Sequence, residues 1–512
     1  MLVQEFLEAA AGRTPDKVAL VCDERRHTHR ELDEAANRLA HTLRAGGVRR
    51  GDRVVLWAGN GVELVVAIFA VLKADAVFVV LHESSKPDQV AYVLDHCGAT
   101  ALLAPARRLA EVERWLGAGG PLAFAVLVGA VATTLPPRCL PFDTAVAAGA
   151  ATRPERRGID RDLACLVYTS GSTGEPKGVM CAHHHMVFAS GSILAYLGLD
   201  ADDVVLCALP LAFDYGLYQL LLTFRVGGRL VLERSFAYPA ACLERIAAER
   251  VTVLPGVPTM FALLLAMDLA AFDLASLRTL TNTAAALPPA HVRQLARAFP
   301  GTRLFSMYGL TETKRTLWLP PELLDAHPGS VGIAIPGTEV WLEDEQGRRL
   351  GCGEVGELVV RGGHVMAGYW NDPAATAARF PPGPLPGERV CRTGDLFRRD
   401  ANGLHWFVGR RDDVLKSRGE KVAPKEVEDV LHDHPGVQSA ALVGVPDAVL
   451  GTALVAVVVR ADRALRAQDV LRHCRERLQD FKVPQRVHFV DSLPRSANGK
   501  VLRQAIDVPP AE

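Results

Sequence analysis

Apolar residues recur along this chain with two periods, and the period changes in blocks. Residues 30–46, RELDEAANRLAHTLRAG, place Leu32, Ala35, Ala36, Leu39, Ala40 and Leu43 at helical spacing, and Gly46-Gly47 ends the run. Short apolar runs then predict strands at 54–57, 76–81 and 100–104, with helices at 62–73 and 88–95 between them. Strands that are apolar throughout and alternate with helices predict a parallel sheet covered on both faces. Residues 105–160 carry weaker signals. A second alternation follows, with strands at 163–168, 204–208, 229–232, 251–254, 277–281 and 303–307 and helices at 184–197, 217–223, 239–249, 258–267 and 288–298. From 331 to 409 the pattern changes to alternation with turns at Gly347, Gly351, Gly353 and Gly362, which predicts an antiparallel, barrel-like unit. Residues 413–512 return to mixed helix and strand, at 424–434, 437–445, 454–459 and 467–478. The expected architecture is α/β. Two doubly wound parallel-sheet subdomains and a small β-barrel-like subdomain fill 1–411, and a small C-terminal α+β domain fills 412–512. The boundary falls in GRRDD, 409–413, and no internal repeat is visible.

Composition narrows the class. A chain of 512 residues with 49% apolar content exceeds one core and predicts a globular, multi-domain protein. Its net charge of −1 argues against nucleic acid or membrane as a partner. The ten cysteines form no CxxC pair, which fits reduced thiols in the cytoplasm. The N-terminus has no basic region followed by an apolar one, so no signal peptide is expected, and the longest apolar runs are too short to span a bilayer. His183-His184-His185 reads as a helix face, since no further ligands lie at zinc spacing.

The candidate chemistry centres on Leu166 to Met180, LVYTSGSTGEPKGVM. An apolar strand breaks into Thr169, Ser170, Gly171, Ser172, Thr173, Gly174, Glu175, Pro176 and Lys177. Small residues let backbone N–H groups approach an anion, hydroxyls add donors and Lys177 adds a charge. This predicts a phosphate cradle between a strand and a helix. It is not a Walker loop, because Pro176 precedes the lysine and no Ser or Thr follows it. The order of residues resembles the phosphate loop of the adenylate-forming superfamily, which comprises acyl-CoA synthetases, peptide-synthetase adenylation domains and luciferases.

Three further clusters match that superfamily in the same order. Tyr308-Gly309-Leu310-Thr311-Glu312 stands at the C-terminal end of a predicted strand, where open α/β sheets bind ligands. The resemblance implies that Tyr308 packs on adenine, Thr311 contacts the α-phosphate and Glu312 holds Mg²⁺. It assigns the ribose to Asp395 of Arg392-Thr393-Gly394-Asp395, with Arg410 as a second nucleotide contact and Asp412 as a hinge. In Pro494-Arg495-Ser496-Ala497-Asn498-Gly499-Lys500 it makes Lys500 the catalytic cation on a mobile C-terminal domain. The implied cofactors are ATP and Mg²⁺. A carboxylate attacks the α-phosphate to give acyl-AMP and pyrophosphate, and a thiol then expels AMP. The C-terminal domain rotates between the two steps, presenting Lys500 for the first and the region of Gly419 for the second.

The substrate pocket is less legible. The resemblance aligns Asp214 with the residue that pairs with the substrate amine in amino-acid adenylation domains; as a helix N-cap it would do no such work. Tyr215, Tyr218, Thr283 and Met307 fall at other pocket positions, with Pro255, Thr281 and Arg315. The tyrosines are bulky and favour a small acid. Lys314 and Arg315, just past Glu312, are two cations open to a second substrate carboxylate, to the carrier's phosphopantetheine or to water alone, and a solvated pair is the leading reading. The chain ends soon after Lys500, so a stand-alone enzyme is expected. The leading expectation is a ligase activating a small, proline-like amino acid for the phosphopantetheine of a separate carrier protein, in secondary-metabolite biosynthesis. The alternative is an acyl- or aryl-CoA ligase using free CoA. A luciferase-like oxidation and a non-catalytic binding relative stand behind both.

Overall fold

The computed structural model describes all residues except 118, 121, 132–134, 170–175, 284, 286, 414, 418–419, 448–450, 496–500 and 509–512; the side chains of 416, 420, 421, 446, 451 and 504 also fall outside it. Two large sheets organise the N-terminal four-fifths. One has seven strands in the order Cys139–Pro141, Phe124–Val128, Ala99–Pro105, Arg53–Trp57, Val77–Leu81, Leu163–Thr169 and Lys177–Ala182. All its pairs are parallel except the last. Apolar residues on both faces are what such a sheet requires. In Arg53–Trp57, Val54 and Leu56 enter the main core while Val55 and Trp57 enter a second one. The helix Val62–Lys73 is apolar all round and buried along almost its whole length.

The other sheet has nine strands, and its central six are parallel: Arg303–Tyr308, Thr279–Asn282, Val253–Gly256, Val204–Cys207, Arg229–Leu232 and Val18–Cys22. Sheet membership therefore does not follow chain order. The N-terminal hairpin Val18–Cys22/Arg25–Thr28 extends the later sheet, and Leu163–Thr169 closes the earlier one. The sequence pattern had shown neither, because pairing partners lie far apart in the chain. A capping box starts the next helix: Thr28 Oγ1 accepts from the Glu31 N–H at 3.2 Å, and Glu31 Oε2 accepts from the Thr28 N–H at 2.8 Å. Buried Lys73 ties this helix to the first one, donating to Asp33 at 2.8 Å and to Glu8 at 3.1 Å.

The region 338–410 is a four-stranded antiparallel meander, Thr338–Glu343, Val355–Gly362, Cys391–Arg399 and His405–Arg410. The expected barrel-like unit is thus an open sheet whose first and last strands are not paired; register shifts near Glu357 and Leu396 bend it. The C-terminal residues form a three-stranded sheet, Val437–Asp447, Gly451–Arg460 and Arg486–Val490, packed on Pro424–His432 and Ala467–Arg475 around a core of its own. Among the described residues no helix is long and apolar enough to cross a membrane. The cysteines are all free thiols, and Cys352 alone is exposed.

Candidate active site

The phosphate-loop segment joins two strands, not a strand and a helix. Leu163–Thr169 and Lys177–Ala182 pair antiparallel as far as Thr169 opposite Lys177, and the helix begins only at His183. The uncharged run of small and apolar residues from Gly178 to Ala182 suits a buried strand, a signal the sequence reading passed over. Ser170, Gly171, Ser172, Thr173 and Gly174 lie outside the described residues, as do Lys500 and Gly419. The outer edge of the Lys177 strand is held by 367–370: Met180 N–H donates to Gly368 O at 2.8 Å and Trp370 N–H to Gly178 O at 2.8 Å.

The same stretch, from Met366 to Tyr369, also holds in place the carboxylate expected to bind the metal. Glu312 O accepts from the Met366 N–H at 3.0 Å, and Tyr369 OH donates to Glu312 Oε1 at 2.6 Å. Arg379 Nε lies 3.8 Å from the same oxygen. Lys177 Nζ sits 3.6 Å from Asp372 Oδ2 and 5.5 Å from the centre of the Tyr369 ring. Lys177, Glu312, Tyr369 and Arg379 thus converge beside the loop, with Thr311 partly exposed next to them. Sequence reasoning missed Tyr369, Asp372 and Arg379. Their signal was Asp372-Pro373, an N-cap followed by a first-turn proline: Asp372 Oδ1 accepts from the Ala375 N–H at 2.8 Å. No cluster of three His, Cys, Asp or Glu exists among the described residues. A Mg²⁺ here fits Glu312 only if nucleotide phosphates and water supply most of its shell, which is how that ion is commonly held.

The residues expected to hold the nucleotide also come together. Tyr308 ends the strand Arg303–Tyr308, and its hydroxyl donates to Asp395 Oδ2 at 2.6 Å. Burial, then the adjacent carboxylate, holds the Tyr308 phenol well above its ordinary pKa, so it stays a donor. Asp395 pairs across the meander with Arg410, whose Nε is 3.5 Å from Oδ1. Gly394 takes φ +69° within the strand, at the register shift just before it.

The acyl side departs from expectation. Asp214 is the first residue of the helix Asp214–Val226, and its N-cap is Phe213, so Asp214 makes no cap bond. Lys314 Nζ donates to Asp214 Oδ1 at 2.7 Å and lies 3.2 Å from Cys181 Sγ. The solvated pair expected at Lys314 and Arg315 is instead buried, at 1% and 3% exposure. The backbone explains the inversion. Gly309 passes so close to the Lys314 carbonyl that a Cβ would lie 1.8 Å from it. Thr316 N–H closes the turn on Tyr308 O at 2.8 Å. Lys314 adopts φ +59°, which folds the stretch inward. Burial is the largest single influence and disfavours the Lys314 ammonium, but the Asp214 carboxylate together with Cys181, Tyr218 and Cys165 outweighs it, so the lysine is held well above its usual range. Asp214 Oδ2 is buried with no partner among the described residues.

Around this pair, Tyr215 OH donates to Thr281 O at 2.6 Å, and Tyr196 OH to Met307 Sδ at 3.0 Å. The guanidinium of Arg315 lies 4.6 Å from the centre of the Tyr215 ring. Tyr218 is wholly buried, and its hydroxyl has no partner among the described residues. Thr283 is buried at the end of the strand Thr279–Asn282.

Known proteins resemble this chain along most of its length. Residues 7–370 match the family model described as AMP-binding enzyme, and residues 426–500 match that of the AMP-binding enzyme C-terminal domain. The chain is 36% identical over 481 residues to feruloyl-CoA synthase from Amycolatopsis sp, covering 93% of this chain and 92% of that protein. It is 32% identical over 519 residues to a linear gramicidin synthase from Brevibacillus parabrevis, covering 99% of this chain and 6% of that longer protein. Among solved structures, an anthranilate CoA ligase in complex with anthranoyl-AMP matches with a TM-score of 0.89 at 29% identity, over 98% of this chain and 95% of that one.

Proposed function

The chain belongs to the AMP-binding enzyme family and is an AMP-forming acid–thiol ligase, and on that premise we propose that it activates a carboxylic acid without an α-ammonium group and passes the acyl group to free CoA. One observation carries the choice of acid. A substrate ammonium was expected because a buried carboxylate needs a cation, and Lys314 already supplies that cation to Asp214 at 2.7 Å. The choice of thiol is supported by the relatives: identity is 36% to feruloyl-CoA synthase, against 32% to the gramicidin synthase.

In this reading the substrate carboxylate attacks the α-phosphorus of ATP, and the bond to pyrophosphate breaks. Lys177 and the loop before it hold phosphate oxygens, and Thr311 contacts the α-phosphate. Tyr308 packs on adenine, while Asp395 and Arg410 take the ribose. A Mg²⁺ held through Glu312 supplies charge neutralisation on the phosphates when bound. Tyr369 orients the Glu312 carboxylate and Arg379 balances its charge in the meantime. The CoA sulfur then attacks the acyl carbon, and the AMP oxygen leaves with the bonding pair. No side chain forms a covalent intermediate, so catalysis is positioning and electrostatic stabilisation. The chain divides at 411/412, and the part beyond Asp412 rotates to present Lys500 for the first step.

A second reading keeps the small amino acid and the carrier protein. The observation favouring it is Asp214 Oδ2, which is buried without a partner among the described residues and could accept an ammonium. The two readings part in a discharge experiment. Enzyme loaded with acyl-AMP from a des-amino acid should release AMP and form a thioester when CoA is added. Discharge by a phosphopantetheinylated carrier and not by CoA would overturn the reading.

A further inference from the structure

Arg315 is a buried cation without an anion among the described residues. It is 3% exposed, and none of its nitrogens has a hydrogen-bond or ion-pair partner among those residues; Nε is wholly enclosed. Its neighbours do not neutralise it. Tyr215 and Tyr196 are uncharged phenols, whose hydroxyls donate to Thr281 and to Met307 Sδ, and the nearby carboxylate, Asp214, is paired with Lys314. Two buried cations against one carboxylate leave a positive charge uncompensated on this side of the site. A lysine could relieve that by losing its proton, but a guanidinium cannot. Burial of an unpaired charge is costly, so such a group persists where a ligand completes it.

The position says which part of the ligand that is. Met307 and Tyr308 are successive residues of one strand, so their side chains point to opposite faces. Tyr308 faces Asp395 and the nucleotide side. Met307 faces Tyr196, and Arg315 lies over Tyr215, which is bonded to Thr281. Arg315 therefore lies on the face opposite the Tyr308–Asp395 contact, which in the reading above is the acyl side. The fork of the guanidinium matches a carboxylate through two parallel N–H bonds. Resting on the reading above, which it deepens, we propose that Arg315 receives a second carboxylate at the far end of the substrate, so that the enzyme makes the mono-adenylate and then the mono-CoA thioester of a dicarboxylic acid. The aromatic walls supplied by Tyr215 and Tyr196 suit a short or ring-bearing spacer between the two carboxylates. The Lys314–Asp214 pair is the reason Asp214 does not repel that second anion.

The test is ATP–pyrophosphate exchange on the full chain with straight-chain and aromatic dicarboxylic acids, each beside its half-amide. The half-amide keeps the shape and removes the distal charge. A site built around a polar group rejects the analogue lacking it strongly, so kcat/KM should favour the diacid by about 10²-fold or more. Arg315→Gln should remove that preference by lowering kcat/KM for the diacid far more than for the half-amide, and Arg315→Lys should restore part of it. The comparison of acids on the unaltered enzyme stands even if a variant fails to fold. Half-amides turned over as well as diacids would overturn the inference and leave the ligase reading intact. Equal loss of both substrates in a folded Arg315→Gln protein would also overturn it, since the arginine would then serve the reacting carboxylate or the fold. Exchange confined to α-amino acids without a second carboxylate would overturn both.

Discussion

The two faces of the strand Arg303–Tyr308 solve opposite electrostatic problems. On the nucleotide face, carboxylates lead: Asp395 is held by the Tyr308 hydroxyl and Arg410, and Glu312 by the Tyr369 hydroxyl with Arg379 behind it. Each carboxylate keeps a neutral donor that can be exchanged for a ribose hydroxyl or a metal ion. On the acyl face, cations lead: Lys314 consumes the charge of Asp214, and Arg315 has no acid among the described residues. In the proposed reading, the difference teaches that the face meant for a polyanion with its metal is built from acids, while the face meant for the organic acid is built from bases. Selectivity for the acid is then read from the charge left over, not from Asp214 alone.

Substitutions sharpen the contrast in order of expected effect. Lys314→Met should cost the most, because it leaves the Asp214 carboxylate buried and unpaired; breaking such a pair costs about 3–5 kcal/mol. Chemical denaturation should show that loss, and adding Asp214→Asn should recover much of it. A double variant no more stable than Lys314→Met would contradict the pairing. Lys500→Ala should slow adenylation by about 10²–10³-fold while sparing thioester formation from supplied acyl-AMP. Equal loss in both half-reactions would count against rotation about Asp412. Asp395→Asn should act on the nucleotide face only. A charge-assisted contact is worth about 1.5–3 kcal/mol, so the KM for ATP should rise about 10–100-fold, with the KM for the acid unchanged. Tyr369→Phe should be mildest. It removes one donor from Glu312, worth about 1 kcal/mol, and should raise the half-saturating Mg²⁺ concentration several-fold with little change in melting temperature.

What could be read from the sequence follows the same division. The residues expected at the nucleotide sit in short contiguous motifs, so Tyr308, Asp395 and Arg410 could be picked out before the structure showed them in contact. The parallel sheets were legible because buried strands are continuous apolar runs. Which strands join which sheet was not, since the strand Val18–Cys22 pairs with Arg229–Leu232, far along the chain. The strand Lys177–Ala182 was lost to the expectation that a phosphate loop leads straight into a helix. The acyl face was misread for a reason of its own. Lys314 and Arg315 look like solvated charges in a sequence, and only the turn at Gly309 carries them inward. A pairing between residues a hundred positions apart, Asp214 with Lys314, leaves no local signal.

The most direct measurement is the ratio of kcat/KM in ATP–pyrophosphate exchange between an acid and the same acid bearing an α-amino group. With Asp214 already neutralised and Arg315 in excess, an added ammonium meets net positive charge, and the des-amino acid should be favoured by at least about tenfold, a difference of about 1.4 kcal/mol. A ratio that favours the amino acid would contradict the account, because Asp214 would then be serving the substrate and not Lys314.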